Sequence, residues 1–128
     1  MTKPKVHRLG DLQLRILQTL WERGEAAVGV VHEALGGSAS YAYTTVATML
    51  RKMELRQLVA HREEGRSYIY RARVAATEVS RSMADHLIKE LFDGRLTDVV
   101  SHLLTTRDVS RAELNALEKM IAERKKKL

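Results

Sequence analysis

The sequence has no cysteine and only one proline, Pro4. Without cysteine there is no disulfide framework, no thiolate zinc site and no thiol nucleophile. With the single proline at position 4, nothing downstream forces a helix to break. Aromatic residues make up only 5% of the chain. Uninterrupted apolar stretches run to a few residues, far short of the roughly 18 that a membrane span needs. The opening Met1-Thr2-Lys3-Pro4-Lys5-Val6-His7-Arg8 is basic, but no apolar segment follows it, so no signal peptide is expected. These absences lead to the expectation of a soluble, cytoplasmic protein with no membrane insertion. Of the 128 residues 45% are apolar, enough for one domain or two small units sharing a core.

Acidic residues are also in deficit. The chain carries 22 Lys and Arg against 16 Asp and Glu, a net charge of +6. The imbalance is local. Residues 1–73 hold 12 basic and 7 acidic side chains, whereas residues 74–128 hold 10 and 9. A basic N-terminal half suits a polyanion such as nucleic acid. A last basic cluster, Arg124-Lys125-Lys126-Lys127, closes the chain.

Glycines punctuate the pattern. Between Gly10 and Gly24, Leu9, Leu12, Ile16 and Leu20 recur at helical spacing, with Leu14, Leu17 and Trp21 widening the apolar surface. Val28 to Leu35 reads as a short second helix, ended by Gly36-Gly37-Ser38. Ser40 or a neighbour is placed to cap a third helix from about Ala42 to Arg56. The period then becomes alternating. Val59–Glu63 and Tyr68–Ala72 read as strands, joined by Glu64-Gly65-Arg66-Ser67, a loop of hairpin length. From Ala75 onward everything reads helical. Val79, Met83, Leu87 and Leu91 form one stripe, and Asp93-Gly94 stops it. Leu96, Val99, Val100 and Leu103 form the next. Ser110-Arg111-Ala112-Glu113 is a capping box ahead of Leu114, Leu117 and Ile121.

The third helix has two contrasting faces. At about 100° per residue, Ala42, Val46, Met49, Leu50 and Met53 gather on one side as a buried stripe. Tyr41, Thr44, Thr48 and Arg51 gather on the other, flanked by Thr45 and Lys52. An ordinary solvated face mixes Glu with Lys, yet this one has no acid before Glu54. Cations find phosphates, hydroxyls bond phosphates or base edges, and threonine methyls touch thymine methyls. Leu55 also projects outward, which is accounted for only if another element covers it. The hairpin adds Arg66 in its loop and Arg62 and Arg71 on its strands. Three helices followed by a hairpin with a basic tip make the winged form of the helix-turn-helix.

Catalytic constellations are missing. His7, His32, His61, His86 and His102 are scattered, with no metal-binding spacing between them. His32-Glu33 lacks a second histidine, so His32 reads as a satisfied surface residue. Glu63 and Glu64 point to opposite faces of a strand. Gly36-Gly37 precedes no Lys-Ser/Thr. No enzyme activity, no cofactor and no metal are expected.

Several motifs, in order and spacing, resemble the BlaI/MecI family of penicillinase repressors. They are Leu9-Gly10-Asp11-Leu12, Leu20-Trp21, Tyr43-Thr44-Thr45-Val46-Ala47-Thr48-Met49-Leu50, Glu64-Gly65-Arg66 with Tyr70, and Phe92-Asp93-Gly94-Arg95-Leu96. The resemblance runs from about Leu9 to Lys125. It implies a homodimeric transcriptional repressor whose winged helix binds a double-stranded DNA operator of dyad symmetry. It also implies release by a membrane-bound sensor metalloprotease that cuts the dimerisation region in response to β-lactam. The family's scissile Asn-Phe corresponds here to His102-Leu103, and its usual third-helix Lys to Thr44. A copper-sensing branch uses cysteines, which this chain lacks.

The expected fold is therefore mostly α with a small β-hairpin. It comprises a basic N-terminal tail (1–8), a winged-helix DNA-binding domain (9–73) and a helical dimerisation domain (74–128). The candidate DNA contacts are Tyr41, Tyr43, Thr44, Thr45, Thr48, Arg51, Lys52 and Arg66. Three amphipathic helices in about 50 residues are marginal alone, so a twin copy is expected to cover Leu87, Leu91, Leu96, Val99, Val100, Leu103, Leu114, Leu117 and Ile121. Two rival readings are a winged helix released by another signal and a winged helix used as a protein-interaction module.

Overall fold

The computed structural model describes His7 and residues 9–128. Apart from His7, the basic tail of residues 1–8 lies outside the described residues. The chain divides into two compact units, Met1–Ala84 and Asp85–Leu128.

In the first unit, α1 (Asp11–Arg23) sends Ile16, Leu17 and Leu20 into the core. Gly24 ends it at φ +83°, a left-handed conformation that favours glycine, and donates its N–H to the Leu20 carbonyl at 2.8 Å. A strand follows at once, β1 (Glu25–Ala27). Then come α2 (Val28–Ala34), a single 3-10 turn (Gly37–Ala39) and α3 (Tyr43–Leu55). Gly36 sits at φ +105°, and a Cβ there would lie 2.4 Å from the Ser40 hydroxyl, so this turn needs glycine. Ser40 does not cap α3. Ala42 occupies the N-cap position, with no side-chain cap.

The hairpin is β2 (Val59–Glu64) and β3 (Ser67–Ala72), turning through Gly65 and Arg66. The sheet is not the two-stranded one expected from sequence. β1 adds to it in the order β1-β3-β2, all antiparallel, with Ala26 opposite Tyr70. A lone hairpin is marginal in water. Here a third strand and the helices cover it, and Val59 and Tyr70 are buried on its inner face.

The core gathers Ile16, Leu17, Val31, Val46, Leu50 and Met53 from the helices with Leu58, Val59 and Tyr70. Each such side chain contributes roughly 1.5–3 kcal/mol by leaving water. Three predicted members of the α3 stripe are buried, Val46, Leu50 and Met53. Met49 is half-buried and Ala42 is exposed. His32 is buried, not at the surface as expected, and its Nε2 lies 2.8 Å from the Tyr41 carbonyl.

The first turns of α4 (Ala76–Phe92) belong to this unit, so the compact unit extends beyond residue 73. Val74 and Val79 are buried in its core, Met83 packs against it, and the Trp21 indole donates to the Val74 carbonyl at 2.8 Å. His7 joins from the other end. It is buried, its N–H donates to the Ser82 hydroxyl at 2.8 Å, and its Nε2 lies 3.1 Å from Glu78 Oε1.

The second unit holds the end of α4, then α5 (Leu96–Thr106) and α6 (Arg111–Lys126). The stop between α4 and α5 is as expected, with Asp93 at φ +50° and Gly94 at φ +76°. The Ser110 hydroxyl caps α6 by accepting the Glu113 N–H at 3.1 Å. Neither α5 nor α6 contains a buried residue. Among the described residues no helix is long and apolar enough to cross a membrane. Helices carrying a small antiparallel sheet, in this order, are the winged helix-turn-helix architecture.

Candidate nucleic-acid interface

The exposed face of α3 follows from its own period. Val46, Leu50 and Met53 face the core, which turns Thr44, Thr45, Thr48, Arg51 and Lys52 to the surface. Arg51 donates to the Thr48 hydroxyl at 3.3 Å, one turn away. No side chain caps α3, and the Thr45 N–H already donates to the Ala42 carbonyl at 3.0 Å. Tyr43 is half exposed and stands edge-on to His32, with centroids 5.6 Å apart.

Tyr41 is placed differently from its expected companions. It lies ahead of α3 and is half-buried against the core. Its hydroxyl accepts from Arg15 at 3.3 Å, and that guanidinium also lies over its ring, 5.9 Å from the centroid.

The wing separates its arginines. Arg62 is engaged on two sides, by Glu25 at 2.6 and 3.2 Å and by Glu64 at 2.7 Å. These bonds hold the Glu25 carboxyl below its usual range and push the Arg62 guanidinium further toward permanent charge. Arg62 thus ties the wing to β1 instead of facing outward as a free cation. Sequence alone could not show this, because the Glu25 strand is only three residues long and contains no branched residue. Arg66, at the turn, is exposed and has no carboxylate partner among the described residues.

Behind the tip, the wing is braced to α3. The His61 Nδ1 lies 2.6 and 2.8 Å from the two Glu54 oxygens, and its ring stacks on Tyr68 at 4.1 Å. Burial pushes the Tyr70 phenol above its ordinary value, and the Glu54 charge adds to the shift. Tyr68 is a surface residue of this face that the sequence reading missed. Leu55, at the end of α3, is 86% exposed, so no element among the described residues covers it.

The second unit shows a different surface. Leu87, Leu91, Leu96, Val100, Leu103, Leu114, Leu117 and Ile121 are all exposed, and Val99 is half-buried. His102 and Leu103 lie in α5. The His102 carbonyl accepts from the Thr105 hydroxyl at 3.1 Å and the Thr106 hydroxyl at 2.7 Å, and the His102 ring contacts Phe92 at 5.7 Å. Among the described residues no cluster of three His, Asp or Glu side chains could hold a metal ion.

The sequence profile of the penicillinase repressor family matches residues 9–123. The chain belongs to this family. A BlaI transcriptional regulator from Mycobacterium tuberculosis is 33% identical over 121 residues, covering 93% of this chain and 86% of the relative. The penicillinase repressor of Bacillus licheniformis is 21% identical over 121 residues, covering 94% of each. Among solved structures, the DNA-binding domain of the repressor BlaI superposes with a TM-score of 0.51 at 20% identity, covering 59% of this chain and 93% of that domain. At that identity the likeness shows the fold alone. The chain is thus a transcriptional repressor of the BlaI family on a winged-helix DNA-binding fold. The family is one of repressors, not a known class of enzyme.

Proposed function

We infer that this penicillinase-family repressor acts as a homodimer on an operator of dyad symmetry. The observation that carries the reading is the α3 face. It presents Thr44, Thr45, Thr48, Arg51 and Lys52 together, without an acid, beside an Arg66 on the wing that has no carboxylate partner among the described residues. In this reading α3 enters the major groove. Thr44 and Thr48 meet base edges, Tyr43 and Thr45 line the approach, and Lys52 joins the arginines on backbone phosphates. A rival use of this face to bind protein would call for an apolar or acidic surface.

Dimerisation is assigned to the second unit because α5 and α6 bury none of their own residues. A second copy would cover the leucine, valine and isoleucine stripes from Leu87 to Ile121. Two α3 helices would then stand one helical turn of DNA apart, or a multiple of it.

Release is assigned to a cut at His102–Leu103 by a membrane-bound sensor metalloprotease. The family resemblance motivates the position. A cut there would separate α6 from the rest of the interface and leave the DNA-binding unit intact. Proteases take extended chain, so α5 must first open locally. Selection of binding sites from random duplex, followed by footprinting and sedimentation, tests the whole reading. The expected outcome is two symmetric protected half-sites occupied by a dimer. A single asymmetric site bound by a monomer would overturn it.

A further inference from the structure

A cleft opens in the first unit between α3, the wing and the start of α2. Tyr43 and Arg51 from α3 and Arg66, Ser67 and Tyr68 from the wing line it, together with the buried Tyr70. Tyr43 and Arg51 lie eight residues apart with Ala47 midway, so all three share one helix face. No acidic residue lines the cleft. Among the described residues, ion pairs take up Arg62 and Arg95, but no carboxylate pairs with Arg51 or Arg66. Among the described residues Arg51 makes one hydrogen bond, to the Thr48 hydroxyl.

Two guanidiniums lining one cleft without a counter-ion repel each other, and an anion between them turns that repulsion into attraction on both sides. The cleft is also braced in advance. Tyr68 stacks on His61, and His61 is bonded to Glu54 of α3, so the wing wall is tied to the helix wall. Preorganisation of this kind lowers the ordering cost of binding. The anion that passes this cleft when α3 faces DNA is a phosphodiester of the backbone.

We propose that the cleft is a single-phosphate clamp, in which Arg51 and Arg66 grip the same backbone phosphate of each half-site. The proposal rests on the DNA-binding reading of the α3 face and adds that the two arginines share one phosphate. The clamp fixes the register of α3 in the groove, because one phosphate then sets the position of helix and wing together. A guanidinium presents a fork of donors to phosphate oxygens, and two forks can approach one phosphate from opposite sides.

The test is a scan with methylphosphonate, an uncharged replacement for the phosphodiester, moved one position at a time along a half-site. Wild-type protein and the Arg51→Ala and Arg66→Ala variants are titrated against each duplex. Wild type should lose roughly ten- to hundredfold at one position, the range for a hydrogen bond to a charged group. At that same position both variants should bind modified and unmodified DNA nearly equally. Insensitivity at two different positions, or at none, overturns the clamp while leaving DNA binding in place. A wild-type protein that binds no duplex at all overturns the DNA reading as well. A free anion as the true occupant would show as competition by inorganic phosphate beyond chloride of equal ionic strength, lost in both variants, with no sensitive methylphosphonate. That result also overturns the clamp.

Discussion

Where the chain is truncated sets how stable the DNA-binding unit is. A fragment ending at Arg73 stops at the end of the hairpin, and one ending at Ala84 includes the first turns of α4. The longer fragment keeps Val79, which is 1% exposed, along with Val74 and the contacts of Met83. It keeps the acceptor of the Trp21 indole and the partners of His7, Ser82 and Glu78. Returning Val79 to water costs about 1.5–3 kcal/mol. The lost Trp21 hydrogen bond adds about 1 kcal/mol. The shorter fragment should therefore be less stable by about 2.5–4 kcal/mol from these two terms alone, a large share of the roughly 5–15 kcal/mol of a typical domain. Urea unfolding followed by tryptophan fluorescence reads the difference directly, since Trp21 lies at the affected contact. The fragment ending at Ala84 should also sediment as a monomer and bind a full operator about 10²–10⁴-fold more weakly than the whole chain, because its second half-site is no longer tethered. Equal stability of the two fragments would refute the packing argument. A dimeric Ala84 fragment would refute the assignment of the interface.

Four further outcomes follow from the same geometry. The double variant Arg51→Ala/Arg66→Ala should flatten the salt dependence of DNA binding by about one unit per protomer on operator and random duplex alike; Arg62→Ala should leave it unchanged, and anisotropy titrations at several salt concentrations would show whether it does. Thr44→Ala should cost about 1–3 kcal/mol on the operator and little on random DNA, so equal losses on both would remove Thr44 from base readout. Mass spectrometry of the repressor from induced cells should find two fragments meeting between Val100 and Leu104, whereas intact protein leaving the operator would indicate a small-molecule inducer. Tyr70 is held neutral by burial, so the unfolded chain ionises first and stability should fall as pH climbs past about 10; denaturant midpoints of wild type and Tyr70→Phe across that range should diverge, and parallel curves would contradict the raised phenol.

The helices were legible because their signals are local. Ile16 and Leu20, Val46 and Leu50, and the glycines at 24, 36 and 94 each act within one turn of chain. The hairpin was legible for the same reason, through Gly65 between alternating runs. β1 was not. Its residues Glu25-Ala26-Ala27 have no strand preference, and the pairing of Ala26 with Tyr70 spans more than 40 positions of sequence. The fate of Arg62 depends on that strand, since Glu25 reaches it only once β1 has joined β3. A basic residue on a wing strand therefore reads as a free cation until the topology supplies its carboxylate. Tyr41 failed by a smaller margin. The projection extended the helix two residues too far back, and a position ahead of the first turn does not share the helix's faces.

The two units treat their apolar residues in opposite ways, and this difference bears on how repression would be lifted. The fourteen buried apolar side chains of the core all lie between Ile16 and Val79, inside the first unit. The second unit leaves Leu87, Leu91, Leu96, Leu103 and Ile121 between 43% and 69% exposed. A segment of that length seldom closes a core by itself, and in the dimer reading a second copy covers its stripes. In the dimer reading, then, the stability of the DNA-binding surface and the pairing of two such surfaces come from separate parts of the molecule. Damage to α5 or α6 leaves Thr44, Arg51 and Arg66 in place. Affinity falls through loss of the second tethered half-site and not through loss of any DNA contact. A repressor so built can be switched off by attacking its weakest-packed helices. Among these, α5 carries two back-bonding hydroxyls: Thr105 donates to the Ser101 carbonyl at 2.9 Å and to the His102 carbonyl at 3.1 Å, and Thr106 donates to the His102 carbonyl at 2.7 Å. Such back-bonding competes with the helix's own N–H···O ladder and favours bending. Thr19 of α1 back-bonds to the Arg15 carbonyl in the same way, so the difference lies in burial: α5 has no buried residue, and the reading of a cut near residue 102 takes its opening to be easier than that of α1 or α3, whose inner faces are held by the core.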